Sequence, residues 1–351
     1  MLKAETYNCE EKLALKYLPN RMIQAAQCYI FNQTGYPSYV EDDTSLYKFA
    51  DAMHELRAEE TFNNILGGGI NETEFLICST IQKKVFTLSK ENYKKAVIPF
   101  SSLLRALNVY RFIEIISLYQ KCSILEIGPG SGYLGGYLLC KGYEYIATDN
   151  SQAFYLFQNH LFNSINNGNI SEAVGDSNYF EGYKKSNIKA LHIPWWEFFS
   201  LREKTNLKFK IITCNHGLAE MHGLARSYLL TIADQMLTDD GILIFEGFGY
   251  NPKLSIQEIC NHIESYGFQK LYFDSNIFSY AKNTNVFQEQ YKKAKGKYFD
   301  NSTLQVQKEK IKSNVINFKK FQEFALQMQD ENLSYNIDEQ FLQSIKNPLG
   351  W

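Results

Sequence analysis

The sequence predicts an α/β fold: a mainly parallel, doubly wound sheet with one antiparallel strand, set between a helical N-terminal region and a helical C-terminal extension. Three observations predict it. From Ser123 to about Lys282, short apolar runs alternate with helical patterns. The first of these runs leads directly into Gly128-Pro-Gly-Ser-Gly132, a turn rich in glycine. The last two runs, 271–274 and 278–281, lie too close together for a helical crossover, so they form a hairpin and one of them runs antiparallel.

Strands are expected at 123–127, 145–148, 190–193, 211–214, 242–246, 271–274 and 278–281. Ahead of them, 24–31, 46–56 and 100–119 place apolar residues three and four apart, the spacing of amphipathic helices. Leu66-Gly-Gly-Gly69 breaks this helical stretch in two. The chain therefore divides into a helical region over 1–120, an α/β core over 121–282 and a helical extension over 283–351. The N-terminal region either packs on the sheet or serves as a lid, because sites in such folds open at the C-terminal edge of the strands. In the extension, Lys292, Lys293, Lys295, Lys297, Lys308, Lys310 and Lys312 are interspersed with Glu289, Glu309 and Glu323. No aromatic residues alternate with these lysines in a nucleic-acid module, so they read as a solvated helix face.

A chain of 351 residues with a formal net charge of −2 has ample core and no general attraction to nucleic acid. Its 24 Tyr and 25 Phe accompany a bias toward Asn, Lys and Ile, and need no functional explanation. The seven cysteines are scattered with no C-x-x-C pair, as expected of reduced thiols. There is no basic-then-apolar leader, and no apolar run approaches the length of a bilayer span. A cytoplasmic protein without a membrane partner is expected.

The 123–149 segment carries the cofactor chemistry. Glycines at the turn let a ligand lie against the backbone where a Cβ would collide with it, and the following helix supplies free N–H groups. Glu126, next to last in its strand, suits an ammonium group. Asp149, closing the second strand, suits the two hydroxyls of a ribose. These features look like the cofactor half-site of an S-adenosylmethionine-dependent methyltransferase, with Gly128, Gly130 and Gly132 shaping the loop. A competing reading is an NAD-dependent oxidoreductase, because Gly130-Ser-Gly132-Tyr-Leu-Gly135 also spells G-x-G-x-x-G, with Asp149 about twenty residues from the start of the unit. Against it, Gly128-Pro129 already ends the strand, Glu126 would sit poorly beside a pyrophosphate, and the motif begins far into the chain. A non-catalytic protein that keeps the fold is the third reading.

Two further clusters complete the candidate site. His192-Ile-Pro-Trp-Trp-Glu-Phe-Phe199 follows a strand where an adenine would lie, and Trp195 or Trp196 offers it a flat apolar face, the other packing elsewhere. Asn215, His216, Glu220 and His222 gather within eight residues after the 211–214 strand. A hydroxyl acceptor needs a base, which histidine supplies, and a carboxylate can orient it. If this segment is helical, His216 and Glu220 share a face. Glu246 converges on the same edge. A divalent metal held by these acids and histidines is the alternative to a histidine base, but no H-x-x-x-H pair offers a zinc helix, and no metal ligand is assigned.

The segments Leu125-Glu-Ile-Gly-Pro-Gly-Ser-Gly-Tyr-Leu134, Gln152-Ala-Phe-Tyr-Leu-Phe-Gln-Asn159, Pro194-Trp-Trp-Glu-Phe198, Asn215-His-Gly-Leu-Ala-Glu-Met-His222 and Phe245-Glu-Gly-Phe-Gly249 resemble the sugar O-methyltransferase family over about residues 95–250. That resemblance implies a class I methyltransferase with a Rossmann-like sheet. S-adenosylmethionine would be the cofactor and a sugar or glycosylated metabolite the small-molecule acceptor. On this reading His216, His222 and Glu220 are the catalytic candidates. Glu126, Gly128, Gly130, Gly132, Asp149, Trp195 and Asn215 would hold the cofactor. A homo-oligomer is compatible with it.

Overall fold

The computed structural model describes residues 1–18, 39–52, 58–93, 95–118, 120–185, 188–198, 201–204, 206–249, 251–274, 276–300 and 316–329. Eight strands form one sheet: β1 (Ser123–Ile127), β2 (Glu144–Asp149), β3 (Ser171–Glu172), β4 (Ala190–Pro194), β5 (Phe209–Thr213), β6 (Leu237–Glu246), β7 (Gln269–Phe273) and β8 (Ile277–Ala281). Their order is β3-β4-β2-β1-β5-β6-β8-β7. The pairs from β3 through β6 are parallel, while β8 runs antiparallel to both β6 and β7. This is the expected mainly parallel, Rossmann-like doubly wound sheet, and β8 is the expected antiparallel strand. Each expected strand forms, with ends displaced by two residues or fewer except at β6, which begins at Leu237, five residues before the expected start. The two-residue β3 was not expected, being too short to show a period.

The sheet is buried on both faces, and the alternation along β1 shows how. Ile124 joins one hydrophobic cluster, while Leu125 and Ile127 join the other. On the first face lie α1 (Ala4–Ala14), α2 (Asp43–Ala52), α3 (Ala58–Asn64), α4 (Glu72–Tyr93), α5 (Ser101–Ile116), α6 (Tyr133–Cys140) and α7 (Gln152–Ile165). The second cluster draws on α8 (Tyr179–Lys185), α9 (Trp195–Phe198), α10 (Leu201–Lys204), α11 (Gly223–Met236) and α12 (Ile256–Glu264). Ser255 and Glu258 start α12 with a reciprocal capping box.

The helices expected at 46–56 and 100–119 correspond to α2 and α5, and the one expected at 24–31 lies outside the described residues. Gly67, Gly68 and Gly69 all have positive φ in the expected break. Arg111 of α5 fastens that turn. Its guanidinium donates to the main-chain oxygens of Leu66 and Gly69, and to Glu74 at 2.7 and 2.6 Å. Both charged side chains are buried.

Past the sheet, α13 (Thr284–Lys295) runs from an Asn283 N-cap to Gly296 in the left-handed conformation. It buries Phe287 and Tyr291 and leaves Lys292, Lys293 and Lys295 exposed, the solvated face expected of this segment. Lys308, Lys310 and Lys312 lie outside the described residues. A last helix, α14 (Phe318–Gln329), sets Phe321 among Phe62, Phe75 and Phe100. Among the described residues no helix is long and apolar enough to cross a membrane.

Candidate active site

A cavity of about 330 Å³ opens along the C-terminal edge of β1, β2, β4, β5 and β6. The glycine turn forms one wall. Gly128, Gly130 and Gly132 have φ of 69, 58 and 70°, a region that residues with a Cβ enter only at a cost. A Cβ on Gly128 would meet nothing within 4 Å, and one on Gly130 only the edge of Phe154 at 4.0 Å. Gly128 and Gly130 therefore keep space open. Gly132 serves packing instead, since its Cβ would lie 3.0 Å from Gln158 and 3.1 Å from Phe162.

Asp149 ends β2 beneath this turn. Its Oδ2 accepts from the Gly130 N–H at 3.2 Å and from Gln158 Nε2 at 2.8 Å, and its Oδ1 accepts from the Ser151 N–H at 3.0 Å. Burial raises the Asp149 pKa, while these hydrogen bonds oppose the rise. Glu126 lies on the cavity floor, 2% exposed. Tyr145 Oη donates to its Oε2 at 2.6 Å and Asn215 Nδ2 to its Oε1 at 3.2 Å. Burial nevertheless pushes its pKa up to about 7. Its hydrogen-bond donors among the described residues, Tyr145 and Asn215, are both neutral, and a carboxylate so buried gains most from a ligand that brings a cation.

Asn215 ties three strands together. Its Oδ1 accepts from the Glu246 N–H at 2.9 Å and from Thr213 Oγ1 at 3.0 Å, which turns Nδ2 toward Glu126. His216 follows with φ of 54°, its Nε2 lying 2.8 Å from Glu246 Oε2. The segment is a turn and not a helix, so His216 and Glu220 do not share a helical face. The carboxylate that orients His216 is Glu246. The turn is held against the loop that follows β6 by main-chain bonds from His216 N–H to Gly247 O and from Ala219 N–H to Phe248 O. Gly247 and Gly249 allow this approach: a Cβ on Gly249 would lie 2.2 Å from the His216 oxygen.

Glu220 lines the cavity, as do Trp195 and Asn215. Trp195 is buried and its Nε1 donates to Glu11 Oε1 of α1 at 2.8 Å. Trp196 meets the ring of Tyr7 edge-on at 5.0 Å. His222 is exposed, does not line the cavity, and caps α11, its Nδ1 accepting from the Leu224 N–H at 3.3 Å. No group of three or more potential metal ligands gathers among the described residues.

The sequence reading passed over the α5 wall. Ser102, Arg105, Ala106 and Val109 line the cavity at helical spacing. Beyond Arg105 and Glu246, which border both spaces, lies a second, polar cavity of about 150 Å³, lined also by Glu60, Thr61, Asn64, Ile65, Asn108 and Asn276. These residues come from separate elements, and no local pattern marks them.

The chain matches no protein-family model and no curated protein. It is similar to solved structures of methyltransferases. A ribosomal protein L11 methylase from Lactobacillus delbrueckii subsp. bulgaricus is 19% identical over 51% of this chain and 76% of its own, with a TM-score of 0.33. A TehB-like SAM-dependent methyltransferase from Corynebacterium glutamicum is 16% identical over 49% and 84%, with a TM-score of 0.34. A SAM-bound amino pentose methyltransferase of calicheamicin biosynthesis from Micromonospora echinaspora is 12% identical over 52% and 92%, with a TM-score of 0.36. At these scores the likeness adds nothing to the site, whose reading rests on its own residues.

Proposed function

We propose that the chain is an S-adenosylmethionine-dependent O-methyltransferase of a small hydroxylated acceptor, a sugar or glycosylated metabolite, as its resemblance to the sugar O-methyltransferase family implies. The observation that carries the reading is the position of the His216–Glu246 pair. His216 borders the larger cavity, and Glu246 borders both that cavity and the polar one. A base held by a carboxylate at such a boundary serves transfer between a donor on one side and a hydroxyl on the other.

The donor fits the larger cavity on its own residues. Gly128 and Gly130 leave room beside the backbone, Glu126 offers a buried carboxylate to an ammonium, and Asp149 keeps lone pairs for a ribose diol. Trp195 and Phe198 supply apolar surface for a purine. When bound, S-adenosylmethionine supplies a methyl group on a sulfonium leaving group. The protein holds the acceptor hydroxyl against His216, whose ring takes the proton as the oxygen forms its new bond to carbon. Glu246, hydrogen-bonded to Nε2, favours the charged ring that results. That bond leaves Nδ1 as the nitrogen that accepts.

His216 is the base in this account and His222 is not, because the latter caps a helix away from the cavity. Glu220 borders the larger cavity beside this turn. The polar cavity receives the acceptor, with Asn64, Asn108 and Asn276 offering amides to hydroxyls. The helical region over 1–120 supplies α3 and α5 as its wall.

The test is methyl transfer to a panel of free monosaccharides and nucleotide sugars, read by mass spectrometry of the product. A methyl ether formed by the parent and lost in His216→Ala supports the reading. A product methylated on nitrogen or carbon contradicts it.

A further inference from the structure

His192 lies opposite Ala147 of β2, two residues before Asp149, and is absent from the reaction just described. It is 1% exposed on β4, its ring stacked on Tyr155 at 3.7 Å and 15°, with the edge of Phe162 against it. Its hydrogen-bond partners bear on which of its nitrogens donate. Gln158 places one amide terminus 2.8 Å from Asp149 Oδ2 and 2.6 Å from the Gly130 main-chain oxygen. Both of those atoms are acceptors, so that terminus is Nε2. Gln158 Oε1 is then the atom 3.1 Å from His192 Nε2, and the ring must donate to it. The other ring nitrogen, Nδ1, lies 2.9 Å from Glu172 Oε2, an oxygen that also accepts from Asn159 Nδ2 at 2.7 Å. Glu172 Oε1 accepts from Tyr155 Oη and from the Val174 N–H.

From this geometry we infer that His192 is a buried imidazolium that positions the cofactor loop, both nitrogens donating: one to Glu172, the other to Gln158. The inference rests on the cofactor reading for its consequence, though not for the charge itself. A ring lacking the proton on Nε2 would face the Gln158 oxygen with a lone pair. Gln158 would turn over and set its own oxygen against the Asp149 carboxylate and the Gly130 carbonyl. The titratable groups around the ring are Glu172 on β3, Tyr155 on α7, Tyr7 of α1 beyond Tyr155, and Asp149 on β2 beyond Gln158. The neighbouring strand position, Ala147, brings no charge. His192 touches no substrate in this account. It acts through Gln158 on Asp149 and Gly130, and is a positioning residue.

Two measurements on the full chain test this. In proton–nitrogen correlation spectra near neutral pH, both His192 ring nitrogens should carry hydrogen, assigned by loss of the signals in His192→Gln. A ring with one bare nitrogen overturns the inference, whether or not cofactor binds. In calorimetric titration with S-adenosylhomocysteine, His192→Leu should weaken binding about tenfold or more, the loss of one charge-assisted hydrogen bond. His192→Gln can still present an N–H to Gln158 and should recover affinity to within about threefold of the parent, for the same reason. A folded His192→Leu that binds as the parent does overturns the positioning role, and so does a His192→Gln no better than His192→Leu. Failure of the parent to bind S-adenosylhomocysteine at all would count against the cofactor reading, leaving the nitrogen spectra to decide the charge.

Discussion

His216 Nε2 and Glu246 Oε2 lie 2.8 Å apart across the ends of two neighbouring parallel strands, thirty residues apart in the chain. The imidazole is 47% exposed and the carboxylate 10%, so a buried acid orients a ring that a ligand can reach. His216→Ala should lower turnover by about 10²–10⁴-fold with little change in cofactor affinity. His222→Ala should leave turnover near the parent value and cost about 1 kcal/mol of stability, as expected for an N-cap. Steady-state kinetics and thermal unfolding of both variants separate these roles. Loss of turnover in His222→Ala alone would move the base there.

Glu126 makes cofactor binding depend on pH. Its carboxyl is raised from an ordinary 4.5 to about 7 by burial, so in the free protein it is largely protonated below neutrality. An ammonium partner favours the ionised form, so affinity should weaken as pH falls below 7, by up to about tenfold per pH unit. For folding the sign is opposite. The folded protein holds this proton more tightly than the unfolded chain, so the associated stability is present below 4.5 and is lost as pH rises through 7, about 3 kcal/mol in all. Glu126→Gln should therefore be more stable than the parent at alkaline pH and bind S-adenosylmethionine more weakly. Calorimetry across pH and denaturant unfolding check both halves.

Asp149→Ala should weaken S-adenosylmethionine binding by about 1.5–3 kcal/mol, the worth of a hydrogen bond to a charged group. Gly130→Val should abolish it, since the added side chain would enter the cavity from a backbone with φ of 58°. A titration with both variants folded is the check, and parent-like affinity in either would displace the ribose or the loop assignment.

The Arg111–Glu74 pair supports the α5 wall from behind. Arg111→Met should cost about 3–5 kcal/mol, because it leaves the Glu74 carboxylate buried without its cation. Adding Glu74→Leu should recover much of that loss. Denaturant midpoints of the single and double variants measure it, and additive losses would contradict the pairing.

The cofactor half of the site was legible because its chemistry is contiguous. Glu126, the glycine turn and Asp149 sit within one strand-turn-helix-strand unit, whose spacing alone fixes their neighbourhood. The pairing of His216 with Glu246 depends on β5 lying beside β6 and on a non-helical turn, which glycines at 247 and 249 permit by admitting a close backbone approach. Sequence pattern indicated the shared strand edge but offered Glu220 as the partner, since a four-residue spacing suggests a helix. Arg105 and Asn108 of α5 and Asn276 just before β8 reach the polar cavity from places far apart in sequence and left no trace. Likewise Gln158 and His192 read as ordinary helix and strand residues until their hydrogen bonds are seen.

The central claim is that the glycine-walled cavity is built for S-adenosylmethionine. Calorimetric titration of the parent protein with S-adenosylhomocysteine and, separately, with NAD tests it most directly. The account predicts saturable binding of S-adenosylhomocysteine that disappears in Gly130→Val, and no binding of NAD. Binding of NAD with none of S-adenosylhomocysteine would contradict it and assign the same glycines to a dinucleotide.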